Sequence, residues 1–266
     1  MHVFAFDIET IPDVELGRRV FDLHDLTDKQ VGYVMQTKRR QESGSDFLPY
    51  EQHRICAISV ALRSKDTFKI WSLGEPDAPE AELIQRFFDG IEKYTPDLVS
   101  WNGGGFDLPV LHYRALKHGI AAPRYWEVGD DDQAFRWNNY LNRFHWRHLD
   151  LMDVMSGYQA RARASLEDVA MLLNLPGKLG MSGDKVWDAY LDGEIKAIRD
   201  YCETDVLNTY LIFLRFELIR GRMDWERYTQ ECLRVRDALT PAPQAHLQEF
   251  LAAWPESSFA KPMPQL

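Results

Sequence analysis

The chain has 266 residues, of which 45% are hydrophobic and 12% aromatic, and its net charge is −10. This length fits one large α/β domain, and the negative charge argues against a protein whose main task is to grip duplex DNA. A nuclease that holds a strand end through metal ions remains possible, because the cations supply positive charge locally. The three cysteines show no zinc or disulfide spacing, no leader pattern is visible, and no apolar run approaches the ~18 residues of a membrane span. We therefore expect a cytoplasmic protein without a membrane partner.

The first half of the chain predicts strands on either side of a helical insertion. An apolar strand covers 4–9, and the charged, helix-compatible segment 12–52 that follows is interpreted as an insertion over the edge of a sheet. Residues 54–63 and 67–73 predict a β-hairpin, and 81–94 have the apolar periodicity of a helix.

The second half predicts further strands among several helices. A short strand at 98–101 leads into a helix that ends at His118, an irregular stretch reaches Trp146, and a strand ends within 148–151. Further helices are predicted at 166–173, 186–191, 194–218, 224–236 and 244–253. This order of elements predicts an α/β fold with a mixed sheet and helices on both faces.

Two carboxylates stand near the end of the first strand. Asp7 and Glu9 are two positions apart, so on a strand they point to the same side, about 7 Å apart along the backbone. Two like charges held together are costly unless a cation neutralises them, which favours an oxygen-ligated ion such as Mg²⁺ or Mn²⁺. The alternative is a strand that simply ends in solvated acidic residues.

A glycine-rich turn carries a third carboxylate. The predicted strand at 98–101 runs into Asn102, three glycines, Phe106 and Asp107. Asp107 followed by Pro109 is typical of a helix N-cap with proline in the first turn. The turn also offers a hydrogen-bonding amide, a stacking ring and glycines that would let a substrate backbone approach. Both interpretations can hold, because such a turn points to the carboxyl edge of the sheet.

A late predicted helix carries a tyrosine and an aspartate four residues apart. Tyr201 and Asp205 would lie on the same face of the helix, within about 6 Å of each other. Val206, Leu207 and Tyr210 supply an apolar stripe that would pack this helix against the sheet. Taken alone, the pair is also compatible with an ordinary tyrosine beside a surface aspartate.

Taken together, the D-x-E, N-x4-D and Y-x3-D motifs resemble, in this order, the three motifs of the DnaQ-like 3′-to-5′ exonucleases. Tyr201 indicates the tyrosine (DEDDy) subclass, since the histidine subclass has H-x4-D and position 200 is Asp200. The pattern is similar in particular to predicted stand-alone exonucleases related to the proofreading domain of family B DNA polymerases. The resemblance extends over residues 3–216.

This resemblance implies a ribonuclease H-like α/β fold. Residues 1–240 would form a single exonuclease domain with a helical insertion at about 12–52, followed by a proline-rich C-terminal tail at 241–266. The implied activity is hydrolysis of single-stranded nucleic acid, with DNA favoured, from the 3′ end to 5′-mononucleotides. Any part in DNA repair or proofreading would serve a separate polymerase.

The resemblance also implies roles for individual residues. Two divalent cations, Mg²⁺ or Mn²⁺, about 4 Å apart, would be bridged by Asp7. Tyr201 would orient the water that attacks the terminal phosphodiester, and the second ion would stabilise the leaving 3′ oxygen. The implied metal ligands are Asp7, Glu9, Asp107 and Asp205. The implied substrate-binding residues are Thr10, Asn102, Phe106 and Lys178.

Two rival functions remain open at this point. An exoribonuclease that trims RNA 3′ ends would use the same carboxylates, because contacts to the 2′ position are not visible in motif spacing. A non-catalytic nucleic-acid-binding module of the same fold is expected to lack a metal ligand, whereas all four are present here. The sequence does not indicate any protein partner.

Two further segments could contact a substrate. Segment 177–183 lacks the G-K-[ST] of a phosphate-binding loop and is interpreted as either a mobile connection or a lid. The stretch 136–163 interleaves arginines with aromatic residues, which suits either single-strand contact or the packing of a long loop. Asp150 and Asp153 within it are compatible with outer carboxylates of the site or with turn and cap residues.

Overall fold

A five-stranded sheet forms the centre of the computed structural model, which describes residues 2–261. Its strands are β1 (His2–Pro12), β2 (His53–Ser64), β3 (Thr67–Ser72), β4 (Asp97–Ser100) and β5 (His148–Asp150). They lie in the order β3-β2-β1-β4-β5. The pairs β1–β2 and β2–β3 are antiparallel, whereas β1–β4 and β4–β5 are parallel. The predicted mixed sheet and the predicted hairpin are both confirmed.

Helices cover both faces of this sheet. They are α1 (Val14–Phe21), α2 (Asp28–Ser43), α3 (Glu80–Tyr94), α4 (Asp107–His118), α5 (Pro123–Trp126), α6 (Leu151–Met155), α7 (Leu166–Leu172), α8 (Val186–Leu191), α9 (Ile195–Ile219), α10 (Trp225–Leu239) and α11 (Ala245–Ala253). Among these helices, α5 and α6 were not predicted, because helices this short do not show an apolar period. No helix within residues 2–261 is long and apolar enough to cross a membrane.

The alternation of side chains along β1 separates two apolar cores. Val3 and Ala5 face α9 in one core, whereas Phe4 and Phe6 face α3 and α4 in the other. Helices α7, α10 and α11 pack on α9 from its other sides, so that most of its length is buried. Asp7 is two residues after Ala5, so its side chain also lies on the side of β1 that α9 covers.

The predicted insertion leaves the sheet at the end of β1 and folds as the helix pair α1 and α2. Val14, Val31 and Met35 form a small core that also contacts Trp187 of α8. The prediction that the insertion covers a sheet edge is wrong, because β1 lies between β2 and β4 and the pair rests on α8 instead. Gly32 permits this contact, since a Cβ at this position would lie 2.8 Å from Nε1 of Trp187.

The C-terminal segment packs on the core that contains α9. Leu247 and Phe250 of α11 are buried in that core, together with Trp254 and Phe259. Nε1 of Trp254 donates a hydrogen bond of 2.7 Å to Oγ of Ser258, which closes the turn after α11. The last part of the predicted tail, 262–266, lies outside the described residues.

Gly32→Ala should lower the free energy of unfolding by about 1 to 2 kcal/mol, because overpacking against Trp187 exceeds the gain in helix propensity. Urea denaturation measures the change. Gly183→Ala is the control, since a Cβ there meets no atom within 4 Å. Equal midpoints for wild type and Gly32→Ala would mean that this contact does not hold the insertion in place.

Candidate active site

Asp7 and Glu9 project from the same side of β1 toward α9. One carboxylate oxygen of each and Sγ of Cys202 on α9 all lie within 4.8 Å of one another. The thiol of Cys202 donates to the backbone carbonyl of Asp7 at 3.4 Å and to its Oδ2 at 3.5 Å. The β1–β2 register shifts directly after Glu9, and such bulges often re-aim side chains beside active sites. The two carboxylates thus share a strand face, as their spacing predicts.

Asp107 reaches β1 from the first turn of α4. Its Oδ1 accepts a hydrogen bond of 3.1 Å from the backbone N–H of Ile8. The interpretation of Asp107 as the N-cap is wrong, because the N-cap residue is Phe106, whose side chain contains no acceptor. The reason is that β4 pairs with β1 only at residues 3–5, so the Ile8 N–H needs another acceptor and the Asp107 carboxylate supplies it.

Tyr201 and Asp205 occupy successive turns of α9, and both are buried. The ring of Tyr201 packs with Ile11 and Ile198 in a small apolar cluster. Oδ1 of Asp205 is buried without a hydrogen-bond partner among residues 2–261. The interpretation of a surface aspartate is therefore wrong. A buried oxygen without a partner is costly, so this atom is available to a ligand such as a cation.

Burial raises the pKa of all four carboxylates. Burial, the larger effect, and the charges of the neighbouring carboxylates hold the pKa of Asp7 and of Glu9 well above the usual range. Burial raises the pKa of Asp107 to about 7 and that of Asp205 to about 6. A nearby cation favours the ionised form of all four. The oxygen donors and the unpartnered Oδ1 of Asp205 fit a hard divalent metal ion.

The glycine-rich turn is held by Asp150. Its carboxylate oxygens accept hydrogen bonds from the backbone N–H groups of Asn102 and Gly104 at 3.0 and 2.9 Å. Asp150 is also the N-cap of α6, which matches its interpretation as a cap residue. Asn102 has a φ of 65°, a left-handed conformation that asparagine tolerates better than most residues. A Cβ on Gly103 would collide with Ser100, so this glycine serves the packing of the turn rather than the approach of a substrate.

Lys178 lies over Tyr201 on a loop that is fixed at its base. Its Nζ is 5.7 Å from the centroid of the Tyr201 ring, and its charge lowers the pKa of two of the carboxylates. Asn208 on α9 donates to the carbonyl of Gly177 at 2.9 Å and accepts from its N–H at 3.3 Å. Glu167 on α7 accepts from the N–H of Lys178 at 2.6 Å. The start of this loop is therefore hydrogen-bonded to both α7 and α9.

Thr10 and Phe106 lie together around His53 rather than among the carboxylates. Oγ1 of Thr10 is 2.9 Å from Nδ1 of His53, and the ring of Phe106 is 5.1 Å from the imidazole centroid. Phe47 and Tyr50, from the end of the insertion, contact Phe106 at centroid distances of 5.3 and 6.2 Å. Sequence reasoning missed Phe47 and Tyr50, because no local pattern places the insertion against this turn.

Sequence reasoning also missed Cys202 and Asn208, two side chains of α9. Cys202 follows Tyr201 directly, and only the packing of α9 against β1 reveals its contact with Asp7. Asn208 does have a signal that could have found it. It stands seven residues after Tyr201, and that spacing returns to the same face of a helix.

The arginines and aromatic residues of 136–163 divide between the core and the surface. Tyr140 is buried and donates its hydroxyl to a backbone carbonyl. Arg143 and Arg163 pair with Asp153 at 2.6 and 2.8 Å. Trp137 is largely exposed. Packing and pairing thus account for part of this segment, and contact with a nucleic-acid strand stays a prediction.

Residues 45–254 match a family described as predicted 3′-5′ exonucleases related to the exonuclease domain of PolB. The chain belongs to this family. The matched residues include Asp107, Tyr201 and Asp205, and they begin after β1, which carries Asp7 and Glu9. Membership confirms the predicted resemblance, the ribonuclease H-like α/β fold and the enzyme class, a 3′-5′ exonuclease related to polymerase proofreading domains.

The chain is also similar to parts of much longer DNA polymerases. It is 26% identical to a DNA polymerase of Archaeoglobus fulgidus over 171 residues, which are 63% of this chain and 21% of the polymerase. It is 24% identical to the catalytic chain of DNA polymerase epsilon from Kluyveromyces lactis over 230 residues, which are 80% of this chain and 9% of that polymerase chain. The chain thus spans about a fifth or less of the length of these relatives.

Asp7→Asn should raise the melting temperature of the metal-free protein by roughly 2 to 4 °C, because it removes one of the mutually repelling carboxylates. A carboxyl whose pKa is raised by folding stabilises the fold while protonated, and this contribution is lost as the pH rises through the folded pKa. The folded pKa of Asp7 lies well above the usual range, so the gain should grow as the pH rises toward that pKa.

Asp153→Asn is the matched control for this measurement. Its carboxylate is paired with two arginines, so the substitution should lower the melting temperature. A comparable fall in the melting temperature of Asp7→Asn would show that the Asp7 carboxylate does not destabilise the metal-free protein.

Proposed function

We propose that the protein is a metal-dependent 3′-to-5′ exonuclease that hydrolyses single-stranded nucleic acid, DNA in preference to RNA, to 5′-mononucleotides. The observation that carries this proposal is the group of four carboxylates beside Tyr201, three of them buried and Asp7 partly buried, in a chain from a family of predicted 3′-5′ exonucleases. Like charges held together are stabilised by cations as well as by protons, and adjacent divalent cations are suited to phosphodiester hydrolysis.

Asp7, Glu9, Asp107 and Asp205 would hold two divalent cations, Mg²⁺ or Mn²⁺. When bound, such ions polarise phosphoryl oxygens and lower the pKa of a bound water. Asp7 interacts by charge with each of the other three carboxylates, which supports a central place for it in the ligand set that would hold the ions. One oxygen of Asp107 is engaged by the Ile8 N–H, which leaves its other oxygen for a metal or its water.

Tyr201 would act as a hydrogen-bond donor rather than as a base. Burial, followed by the charge of Asp205, raises the pKa of its phenol, so the hydroxyl keeps its proton. It can therefore orient the attacking water but cannot take up the proton of that water. Lys178 above the ring adds a positive charge that attracts the phosphates of the strand.

Tyr201→Phe should reduce turnover by roughly 10- to 100-fold, because the orienting hydroxyl is lost while the ring and all four carboxylates remain. Its affinity for Mn²⁺ should stay close to that of the wild type. Asp205→Asn should instead weaken Mn²⁺ binding itself. In a Mn²⁺ titration of activity, excess metal should partly restore Asp205→Asn but not Tyr201→Phe. Wild-type turnover in Tyr201→Phe would remove the phenol from the reaction.

With Mg²⁺ or Mn²⁺, the protein should release 5′-mononucleotides from the 3′ end of a labelled single strand, and EDTA should abolish the reaction. Duplex ends should be cleaved more slowly, and a bulky group on the 3′ hydroxyl should slow cleavage sharply. Internal cuts in a circular single strand, or products that appear first from the 5′ end, would be incompatible with the proposal.

The same assay separates this function from its two rivals. The similarity to DNA polymerases supports DNA, so a DNA strand should be degraded faster than an RNA strand of the same sequence. The opposite order would identify an exoribonuclease. Binding of strands without any product would identify a non-catalytic module. Under this proposal, the enzyme would serve repair or proofreading beside a separate polymerase.

A further inference from the structure

The end of the insertion builds an exposed aromatic surface next to the glycine-rich turn. Phe47 is 51% exposed and Tyr50 is 37% exposed, although both rings contact Phe106. We call these three residues the aromatic wall. Leu48, between the first two, is only 4% exposed and belongs to the core of the insertion. Leu48 already holds this loop in the core of the insertion. The exposed rings of Phe47 and Tyr50 are therefore not needed for that packing.

The aromatic wall is fixed to the elements that carry the carboxylates. The hydroxyl of Tyr50 donates a hydrogen bond of 2.8 Å to the carbonyl of Gly105, in the turn that leads into α4. Nε2 of His53 lies 3.1 Å from the carbonyl of Leu48, which can only accept, so Nε2 carries the proton. Nδ1 of the neutral ring then accepts from Thr10 on β1. The wall is thereby held beside the ends of both β1 and the turn before α4.

Arg39 of α2 adds an available cation to this surface. Its Nε donates a hydrogen bond of 3.0 Å to the carbonyl of Phe47. Within residues 2–261, no carboxylate oxygen lies within 4.0 Å of its guanidinium, whereas the neighbouring Arg40 is paired with Asp46 at 2.5 Å. The Nη groups of Arg39 can therefore pair with a phosphate.

We propose that Phe47, Tyr50 and Arg39 form a subsite for the single strand, in which a nucleobase stacks on the two rings while the guanidinium pairs with a backbone phosphate. This inference rests on the proposed function and adds the residues that would hold the strand. Aromatic rings beside a cation bind single strands with little sequence preference, because every base has a π face. Bases within a duplex are already stacked, so the subsite also selects against duplex.

The test compares Phe47→Leu and Tyr50→Leu, which keep an apolar side chain but lose the ring. For each, kcat/KM on an oligothymidylate strand is divided by kcat/KM on the p-nitrophenyl ester of thymidine 5′-monophosphate, which has no strand to stack. This ratio should fall about 5- to 100-fold. Tyr50→Phe keeps the ring and loses only the bond to Gly105, so its ratio should fall less than that of Tyr50→Leu.

Tyr33→Leu is the matched control, because Tyr33 is an exposed aromatic residue of the same insertion, 69% exposed on α2. Its ratio should equal that of the wild type. Strands with a single abasic site near the 3′ end should locate the stacked base, since at one position the loss in Phe47→Leu should disappear. Equal ratios in wild type, Phe47→Leu and Tyr50→Leu would overturn the subsite.

A binding measurement separates failure of the subsite from failure of the proposed function. A wild-type protein that cleaves neither strand nor ester would refute the exonuclease proposal alone. Fluorescence anisotropy of a labelled strand with Ca²⁺ then still tests the subsite. Phe47→Leu should weaken binding of the strand by about 5- to 100-fold. Arg39→Gln should also weaken binding, and its affinity should depend less on salt concentration than that of the wild type. Equal affinities for wild type, Phe47→Leu and Tyr33→Leu would overturn the inference in the absence of cleavage.

Discussion

The crowding of four carboxylates, three of them buried and Asp7 partly buried, is the constraint on which the rest of this structure depends. Asp7 and Glu9 come from β1, Asp107 from α4 and Asp205 from α9, so no single element brings them together. Burial raises the pKa of each, and the charges of the neighbouring carboxylates raise those of Asp7 and Glu9 further, so the metal-free fold bears a cost at this point. The two apolar cores on either face of β1 offset that cost, and bound cations would remove it.

A buried ion network holds the converging elements in register. Arg114 of α4 pairs at 2.5 Å with Asp13, just beyond β1, and at 2.5 Å with Glu80 of α3. Glu80 also accepts a hydrogen bond of 2.7 Å from the backbone N–H of Ile55 in β2. Buried pairs add little net stability, but breaking one is costly, so they specify geometry. The network thus fixes α4 relative to β1, the same pair of elements that Asp107 connects.

Prediction from the sequence succeeded for side chains whose position follows from the period of a strand or helix. It failed for side chains whose position depends on packing between distant parts of the chain. The strand period brings the two carboxylates of β1 to one face, and the helix period aligns Tyr201 with Asp205. The acceptor role of Asp107 depends on where β4 stops pairing with β1, which no local pattern encodes. In the same way, the contact of Phe47 with Phe106 depends on how the insertion packs against distant parts of the chain, and the short helices α5 and α6 leave no periodic signal.

Calorimetric titration of the metal-free protein with Mn²⁺, in buffers of different ionisation enthalpy, tests the central claim most directly. The pKa of Asp107 is raised to about 7 and that of Asp205 to about 6, so these carboxyls are partly protonated near neutral pH. Mn²⁺ should therefore bind at two sites per chain and release protons, and fewer protons should be released as the pH rises. Absence of binding, or binding without proton release at a pH of about 6, would contradict the account.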